Sequence, residues 1–123
     1  MVADGSADLS QLLKGVLDLA VLAVLADREG YGYDVVRRLR ESGLREVGDA
    51  SVYGTLRRLF QAGALASHVV PSDEGPHRKY YSLTGRGRAT LAESARTWRS
   101  MTQALDLLLD GKEARRKEAR RDD

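Results

Sequence analysis

Small and basic side chains recur at helical spacing in one short stretch of this chain, Asp49–Gly63. Placed at about 100° per residue, the side chains opposite its apolar face are Ala50, Ser51, Gly54, Arg57 and Arg58, flanked by Tyr53. Hydroxyl and guanidinium groups donate hydrogen bonds to phosphate oxygens, and Arg also bonds the edge of guanine. A narrow face with glycine at its centre therefore suits close approach to a phosphate backbone. An ordinary surface helix with solvated arginines is the alternative interpretation of this stretch alone.

A second basic group, His77, Arg78 and Lys79, follows the turn-forming sequence Pro71–Pro76. Residues 65–70 and 77–83 have the composition of two strands, so we predict a hairpin with this basic group near its tip. The group would then reach phosphate or the minor groove of a duplex. A solvated hairpin tip is the alternative.

Residues that could support catalysis or hold a metal are sparse. The chain has two histidines, His68 and His77, both in the predicted hairpin, and no cysteine. The glycines at 85–88 begin a helix and do not follow a parallel strand, so they do not form a dinucleotide-binding or P-loop motif. We therefore predict that the protein is not an enzyme and that it binds neither a metal ion nor a cofactor.

Basic charge is concentrated in the middle of the chain. Residues 31–90 contain ten basic and six acidic side chains, whereas residues 1–30 contain two and five, and residues 91–123 contain eight and seven. The net charge of the whole chain is only +2. A local excess of this kind is typical of a protein that binds an anionic partner through one surface.

The first predicted helix is apolar on almost every side. It begins at Ser10 as N-cap and ends near Ala26, after a flexible arm of residues 1–9 that lacks periodicity. Such a helix has to be covered on more than one face, and in so short a chain we expect a second subunit, contacted through Leu17, to provide the cover. Its apolar run is too short to span a bilayer, and the lack of cysteine suits a reducing cytoplasm.

The next two helices form a pair. The second begins at Tyr31–Asp34 and ends at Ser42–Gly43, and the third is capped by Asp49 and ended by Gly63. Two helices with a short connector, followed by a hairpin, indicate a winged helix-turn-helix domain over residues 10–84 in a mainly α protein. We expect these side chains to point outward: Arg37, Arg38 and Arg40. We expect these to point inward: Tyr33, Val52, Leu56, Leu59, Phe60 and Tyr81.

A last helix begins after Thr84 as N-cap and carries apolar residues close to heptad spacing. They are Leu91, Trp98, Met101, Leu105 and Leu108. This narrow stripe suits packing on another helix, and we favour dimerisation over packing within the domain. We therefore assign residues 85–109 to a dimerisation helix and residues 110–123 to a charged tail, either frayed helix or disordered.

The order of these elements and three motifs resembles the PadR family of bacterial transcriptional regulators. The motifs are Leu12–Leu19 in the first helix, Tyr31–Asp34 with its Gly-Tyr pair followed by an acid, and His77–Thr84 in the wing strand. The third helix corresponds to the family's recognition helix, with Tyr53 at its aromatic position. Where the family often has proline after that tyrosine and glycine near the start of the helix, this chain has Gly54 and Ala50.

The resemblance implies a winged helix-turn-helix homodimer that binds a palindromic DNA operator and usually represses transcription. From the composition we expect the protein in the cytoplasm. The side chains it implies for DNA contact are Ser51, Tyr53, Gly54, Arg57, Arg58, His77, Arg78 and Lys79, with Lys14 and Tyr31 as weaker candidates. Some members release DNA when a planar small-molecule effector enters the dimer interface, where an aromatic at a position like Trp98 lines the pocket; interface packing is the alternative role of Trp98. The alternative functions are a winged-helix protein-interaction module and a ligand- or partner-dependent co-regulator.

Overall fold

The computed structural model describes the backbone of residues 5–73 and 75–122, and the side chains of residues 16–73, 75–111 and 115–120. The elements are α1 (Gly5–Asp27), β1 (Gly30–Tyr31), α2 (Gly32–Glu41), α3 (Asp49–Gln61), β2 (Leu65–Val70), β3 (Arg78–Leu83) and α4 (Gly85–Asp122). The chain divides into two compact units, Met1–Leu91 and Ala92–Asp123. The predicted mainly α fold with a small β-hairpin is confirmed.

One apolar core holds the first unit together. The inward residues of each helix recur three or four positions apart, as Val52, Leu56 and Leu59 do in α3, so each helix buries a single face. The core side chains are Leu17, Val21, Leu22, Leu25, Val35, Val36, Leu39, Val47, Val52, Leu56, Leu59, Ala64 and Leu65. Burying one of the larger of these stabilises the fold by about 1.5–3 kcal/mol, so this core fixes α3 against α1 and α2.

The three strands form an antiparallel sheet in the order β1-β3-β2. Successive side chains point to opposite faces, so Leu65 and its partner Leu83 lie on one face with Tyr81, while Tyr80 and its partner His68 lie on the other. Leu83 and Tyr81 pack against the core, as predicted for Tyr81. Strand β1 was not predicted, and the second helix was expected to begin at Tyr31, one residue too early. Two residues are too few to show an alternating pattern.

Helix α1 differs from its prediction at its start and at Leu17. It begins at Gly5, so residues 5–9 are helical and the predicted arm and N-cap at Ser10 are wrong; residues 1–4 lie outside the described residues. This segment contains the helix-forming residue types Ala and Leu. Leu17, expected at a dimer interface, is only 8 % exposed and belongs to the chain's own core, because it shares one face with Val21 and Leu25.

Arg38 was expected to point outward and is instead buried. Its guanidinium donates to the carbonyl oxygens of Val24 (2.6 Å) and Arg28 (3.0 Å), at the end of α1, and to the Asp34 carboxylate (3.2 Å). The last carbonyls of a helix have no partner within the helix, so a buried donor is needed where water cannot reach them. Arg38 therefore joins α2 to the end of α1.

Two aromatic side chains predicted in the core are exposed. Tyr33 is 58 % exposed and Phe60 is 40 % exposed. Val35, Val36 and Leu39 form the buried face of α2, and Tyr33 lies beside that face. Its exposure is therefore determined by its position on the helix and not by its aromatic ring. Phe60 lies at the edge of α3 next to the wing, where its ring contacts the ammonium group of Lys79.

Helix α4 begins as predicted and ends later than predicted. The Thr84 hydroxyl accepts from the backbone N–H of Gly87 (3.0 Å) as an N-cap and donates to the Gly63 carbonyl (2.7 Å). The helix continues beyond the predicted dimerisation helix, which ended at 109, and reaches Asp122. The tail residues 110–122 are therefore helical, which is one of the two alternatives predicted for them. Apart from Gly111, this segment is rich in Ala, Glu, Lys and Arg, all strong helix formers. No helix among the described residues is long and apolar enough to cross a membrane.

Gly87 allows α4 to begin directly against the end of α3. A Cβ atom at Gly87 would collide with the backbone carbonyl of Ala64, which also accepts from the N–H of Thr84 (3.1 Å). We expect Gly87→Ala to lower the free energy of unfolding by about 1–3 kcal/mol, as overpacking against backbone does. The matched control is Gly85→Ala on the same helix, where an added Cβ meets nothing within 4 Å. Urea unfolding measures both, and equal stability of the two variants would contradict this packing.

Candidate DNA interface

The connector between α2 and α3 is fixed by Arg40. Its guanidinium donates to the Val47 carbonyl (3.0 Å from Nη2) and to the Asp49 carboxylate (2.8 Å). Asp49 is the first residue of α3, and Gly48 precedes the helix in an extended conformation without a side-chain cap, so the predicted N-cap role of Asp49 is wrong. The carboxylate binds the guanidinium of Arg40 in place of the helix amides. This ion pair sets where α3 begins relative to α2.

Helix α3 ends at the glycine that the sequence indicated. Gly63 has φ +82°, a left-handed conformation that glycine adopts without strain. The N–H of Ala64 donates to the Leu59 carbonyl (2.9 Å), and the N–H of Gly63 donates to the Phe60 carbonyl (3.0 Å), which satisfies two carbonyls of the last turn. The chain then turns directly into β2, so the wing follows α3 without a flexible linker.

The face of α3 that points away from the core carries the predicted small and basic residues. Ser51, Tyr53 and Arg57 are exposed, and Gly54 lies between them with no heavy atom within 4 Å of the place a Cβ would occupy. Since α3 packs on the core only through its opposite face, glycine is not needed at 54 for any contact within the chain. The open space above Gly54 is available to a partner.

Arg58, also predicted for this face, forms an ion pair within the chain. Its two terminal nitrogens donate to the two carboxylate oxygens of Asp18 in α1, at 2.7 and 2.9 Å. These hydrogen bonds, and then the carboxylate charge, raise the pKa of the Arg58 guanidinium above its usual value. The pair joins α3 to α1 beside Ser51 and Gly54, where the two helices form a shallow hollow. Arg58 therefore presents less unpaired charge to a partner than Arg57.

The Tyr53 ring packs against α2 at Gly32. A Cβ at Gly32, the first residue of α2, would collide with the Tyr53 ring, so only glycine allows this contact. The ring remains 43 % exposed. Tyr53 therefore packs at the flank of α3 and stays partly exposed, as expected for an aromatic at the edge of a binding face.

The wing carries three further candidates, of which Lys79 lies against α3. His77, Arg78 and Lys79 are all exposed at the start of β3. The ammonium of Lys79 lies 5.0 Å from the centre of the Phe60 ring in α3, a cation–π contact between the wing and the helix. The Arg78 guanidinium lies on the other face of the sheet, 4.5 Å from the centre of the Tyr31 ring. The wing therefore holds one cation on each face.

The structure brings together most of the predicted contact residues and adds residues that sequence reasoning missed. Lys14 cannot be placed, because its side chain lies outside the described residues. Asp18 and Gly32 were missed as partners of Arg58 and Tyr53; a lone acid in an apolar helix and a glycine inside a helix were the available signals. Within the described part of the chain, no group of three or more His, Asp or Glu side chains is placed to hold a metal ion.

Helices α2 and α3 are joined by a fixed connector, basic side chains are exposed on α3, and a cationic hairpin follows. This arrangement defines a winged helix-turn-helix DNA-binding protein. The chain belongs to the transcriptional regulator PadR-like family, whose model matches residues 21–93. Membership confirms the predicted family and the prediction that the protein is a transcriptional regulator and not an enzyme.

Solved structures of family members share this fold. A PadR-like transcriptional regulator from Bacillus cereus is 32 % identical, with a TM-score of 0.72, over 80 % of this chain and 96 % of that one. A PadR family transcriptional regulator from Eggerthella lenta is 31 % identical, with a TM-score of 0.76, over 85 % and 90 % of the two chains. An uncharacterized protein from Lysinibacillus sphaericus is 26 % identical over 85 % of this chain and 97 % of its own length.

Proposed function

We propose that this regulator is a homodimeric repressor that binds a palindromic operator through α3 and the wing. The observation that carries the proposal is the open face of α3, where the unfilled space above Gly54 lies between exposed Ser51, Tyr53 and Arg57. The major groove admits an α-helix, and a face without bulk at its centre lets the backbone of that helix approach the bases closely.

The exposed candidates divide by the contact that each can make. Arg57 donates to phosphate or to guanine, and Ser51 and the Tyr53 hydroxyl donate to phosphate beside the groove. His77, Arg78 and Lys79 on the wing reach phosphate or the minor groove. Arg58 stays with Asp18 and contributes mainly by fixing α3 on α1.

Dimerisation is supported by an apolar stripe on α4 within the unit Ala92–Asp123. We define the α4 stripe as Trp98, Met101, Leu105 and Leu108. Leu91, which was also predicted at the interface, instead packs against the core of its own chain. The side chains of the stripe lie three or four residues apart and are 39, 46, 47 and 65 % exposed in the single chain. A contiguous apolar row of this length is typical of a helix that packs on another, and a second copy supplies an identical row.

Trp98 in the stripe also gives the proposed effector a place to bind. Its indole offers a flat apolar surface for a planar ligand at the dimer interface. Because it is the only tryptophan in the chain, its fluorescence reports ligand binding without a label.

The experiment that tests the proposal is selection of bound fragments from the organism's own DNA, repeated with a panel of planar metabolites. The expected result is a palindrome with half-sites about one helical turn apart, or a multiple of that. Enrichment of fragments without a shared sequence would contradict a specific operator, and a single unpaired half-site would contradict a dimer. Release of the selected fragment by one metabolite, with quenching of Trp98, would identify the effector.

A further inference from the structure

The outer face of the wing sheet carries a row of aromatic rings. Tyr31 in β1 pairs with Tyr80 in β3, and Tyr80 pairs with His68 in β2, so the three side chains lie side by side across the strands. The rings of Tyr31 and Tyr80 meet edge to face at 5.3 Å between centres, and those of Tyr80 and His68 stack at 5.7 Å. Aromatic and cross-strand pairs of this kind stabilise the fold by more than the area they bury. We therefore expect the three rings to keep fixed positions.

A charged residue lies at each end of this row. At one end Nε2 of His68 is 3.7 Å from the Glu29 carboxylate. At the other the Arg78 guanidinium lies 4.5 Å from the centre of the Tyr31 ring. A guanidinium stacked on a ring keeps the N–H donors along its edge available for phosphate. Arg78 is the first residue of β3, directly after the hairpin loop, and its side chain is exposed.

We propose that Tyr31 is a positioning residue that orients Arg78 for DNA and does not itself bind phosphate; this inference rests on the proposed function. An exposed arginine samples many rotamers, and binding must restrict it to one. Stacking on Tyr31 restricts it before DNA arrives, so less freedom is lost on binding. Because Tyr31 directly precedes α2, the same contact joins the wing to the helix-turn-helix.

The ring and not the hydroxyl of Tyr31 is the functional group in this proposal. Tyr31→Phe keeps the stacking surface and removes only the hydroxyl, so its affinity for DNA is expected to stay within about twofold of the parent. Tyr31→Ala removes the surface and is expected to weaken binding about three- to tenfold. If the hydroxyl bound phosphate instead, Tyr31→Phe would lose as much affinity as Tyr31→Ala, which overturns the proposal.

The effect of Tyr31 must act through Arg78. Binding is measured by fluorescence anisotropy of the full-length chain with a random-sequence duplex of about 30 base pairs at low salt. We expect Arg78→Ala to weaken binding about tenfold, and Tyr31→Ala to add nothing to it in the double variant. Independent, additive losses would overturn the proposal. Arg78→Lys keeps the charge but lacks the planar guanidinium and its edge N–H donors, so we expect this variant to bind DNA more weakly than the parent.

Nuclear magnetic resonance of the DNA-free protein gives a readout that a merely structural role would not produce. The ring current of Tyr31 is expected to shift the Arg78 side-chain protons upfield in the parent and in Tyr31→Phe, but not in Tyr31→Ala. An unshifted Arg78 in the parent refutes the positioning role even when DNA binding is intact. A parent protein with the upfield shift but no affinity for any duplex refutes the proposed function and leaves the contact in place, so the two failures are distinguishable.

Discussion

Replacing Arg57 and Lys79 together with alanine is expected to weaken DNA binding at least tenfold, equivalent to about 1.4 kcal/mol. Arg57 lies on the open face of α3, and the Lys79 ammonium lies between α3 and the wing, against Phe60 and Tyr81. Both cations can neutralise phosphate, and each is present twice in a dimer. Titrations against the selected operator at several salt concentrations measure the loss. The logarithm of affinity should also fall less steeply with the logarithm of salt, by about one for each phosphate contact removed.

The control for that experiment removes the same charge elsewhere. Arg28 and Arg88 are also exposed and lie outside the face of α3 and the wing. Their double alanine variant should keep parental affinity apart from a small, general electrostatic loss. Unchanged affinity in the Arg57 and Lys79 variant, or equal losses in both variants, would refute α3 and the wing as the contact surface.

Replacing Trp98 and Leu105 together with aspartate is expected to convert the protein to a monomer, or to unfold it if α4 requires its partner. Both side chains lie on the α4 stripe, which two copies would bury against each other. Burying unpaired carboxylates in an apolar interface costs several kcal/mol, about as much as a small helical interface contributes. Light scattering measures the molar mass, and circular dichroism shows whether the helices remain.

Ser100→Asp with Gln103→Asp is the matched control for the stripe. These positions lie outside the stripe on the same helix, are exposed and receive the same added charge. The control should remain dimeric with parental operator affinity. A dimer that survives aspartate at both Trp98 and Leu105 would show that the stripe is not the interface.

Local signals in the sequence predicted much of the fold. Gly63 and Thr84 were identified as a helix end and a helix start from residue type alone, and both roles depend on atoms within a few residues. The buried face of α3 followed from the spacing of its apolar residues, apart from Phe60, whereas Tyr33 of α2 was wrongly expected in the core. At those two positions the type of side chain suggested burial while its place on the helix did not.

The contacts that position the candidate site could not be predicted in this way. Arg58 pairs with Asp18 forty positions away, and Arg38 reaches the end of α1, so both depend on how the helices pack. Periodicity identifies which face a residue occupies but not which partner on another element it meets. Residues of the same type therefore differ: Arg38 is buried, Arg58 is paired, and Arg57 lies on the open face.

The central claim is that the face of α3 around Gly54 lies against DNA, and Gly54→Gln tests it most directly. Nothing within the chain lies within 4 Å of the added Cβ, and glutamine favours a helix more than glycine does. Urea unfolding should therefore show stability equal to the parent or greater by up to about 1 kcal/mol. If this face enters the major groove, affinity for the selected operator should fall at least tenfold in the same preparation. A stable Gly54→Gln protein that binds the operator as tightly as the parent would contradict the claim.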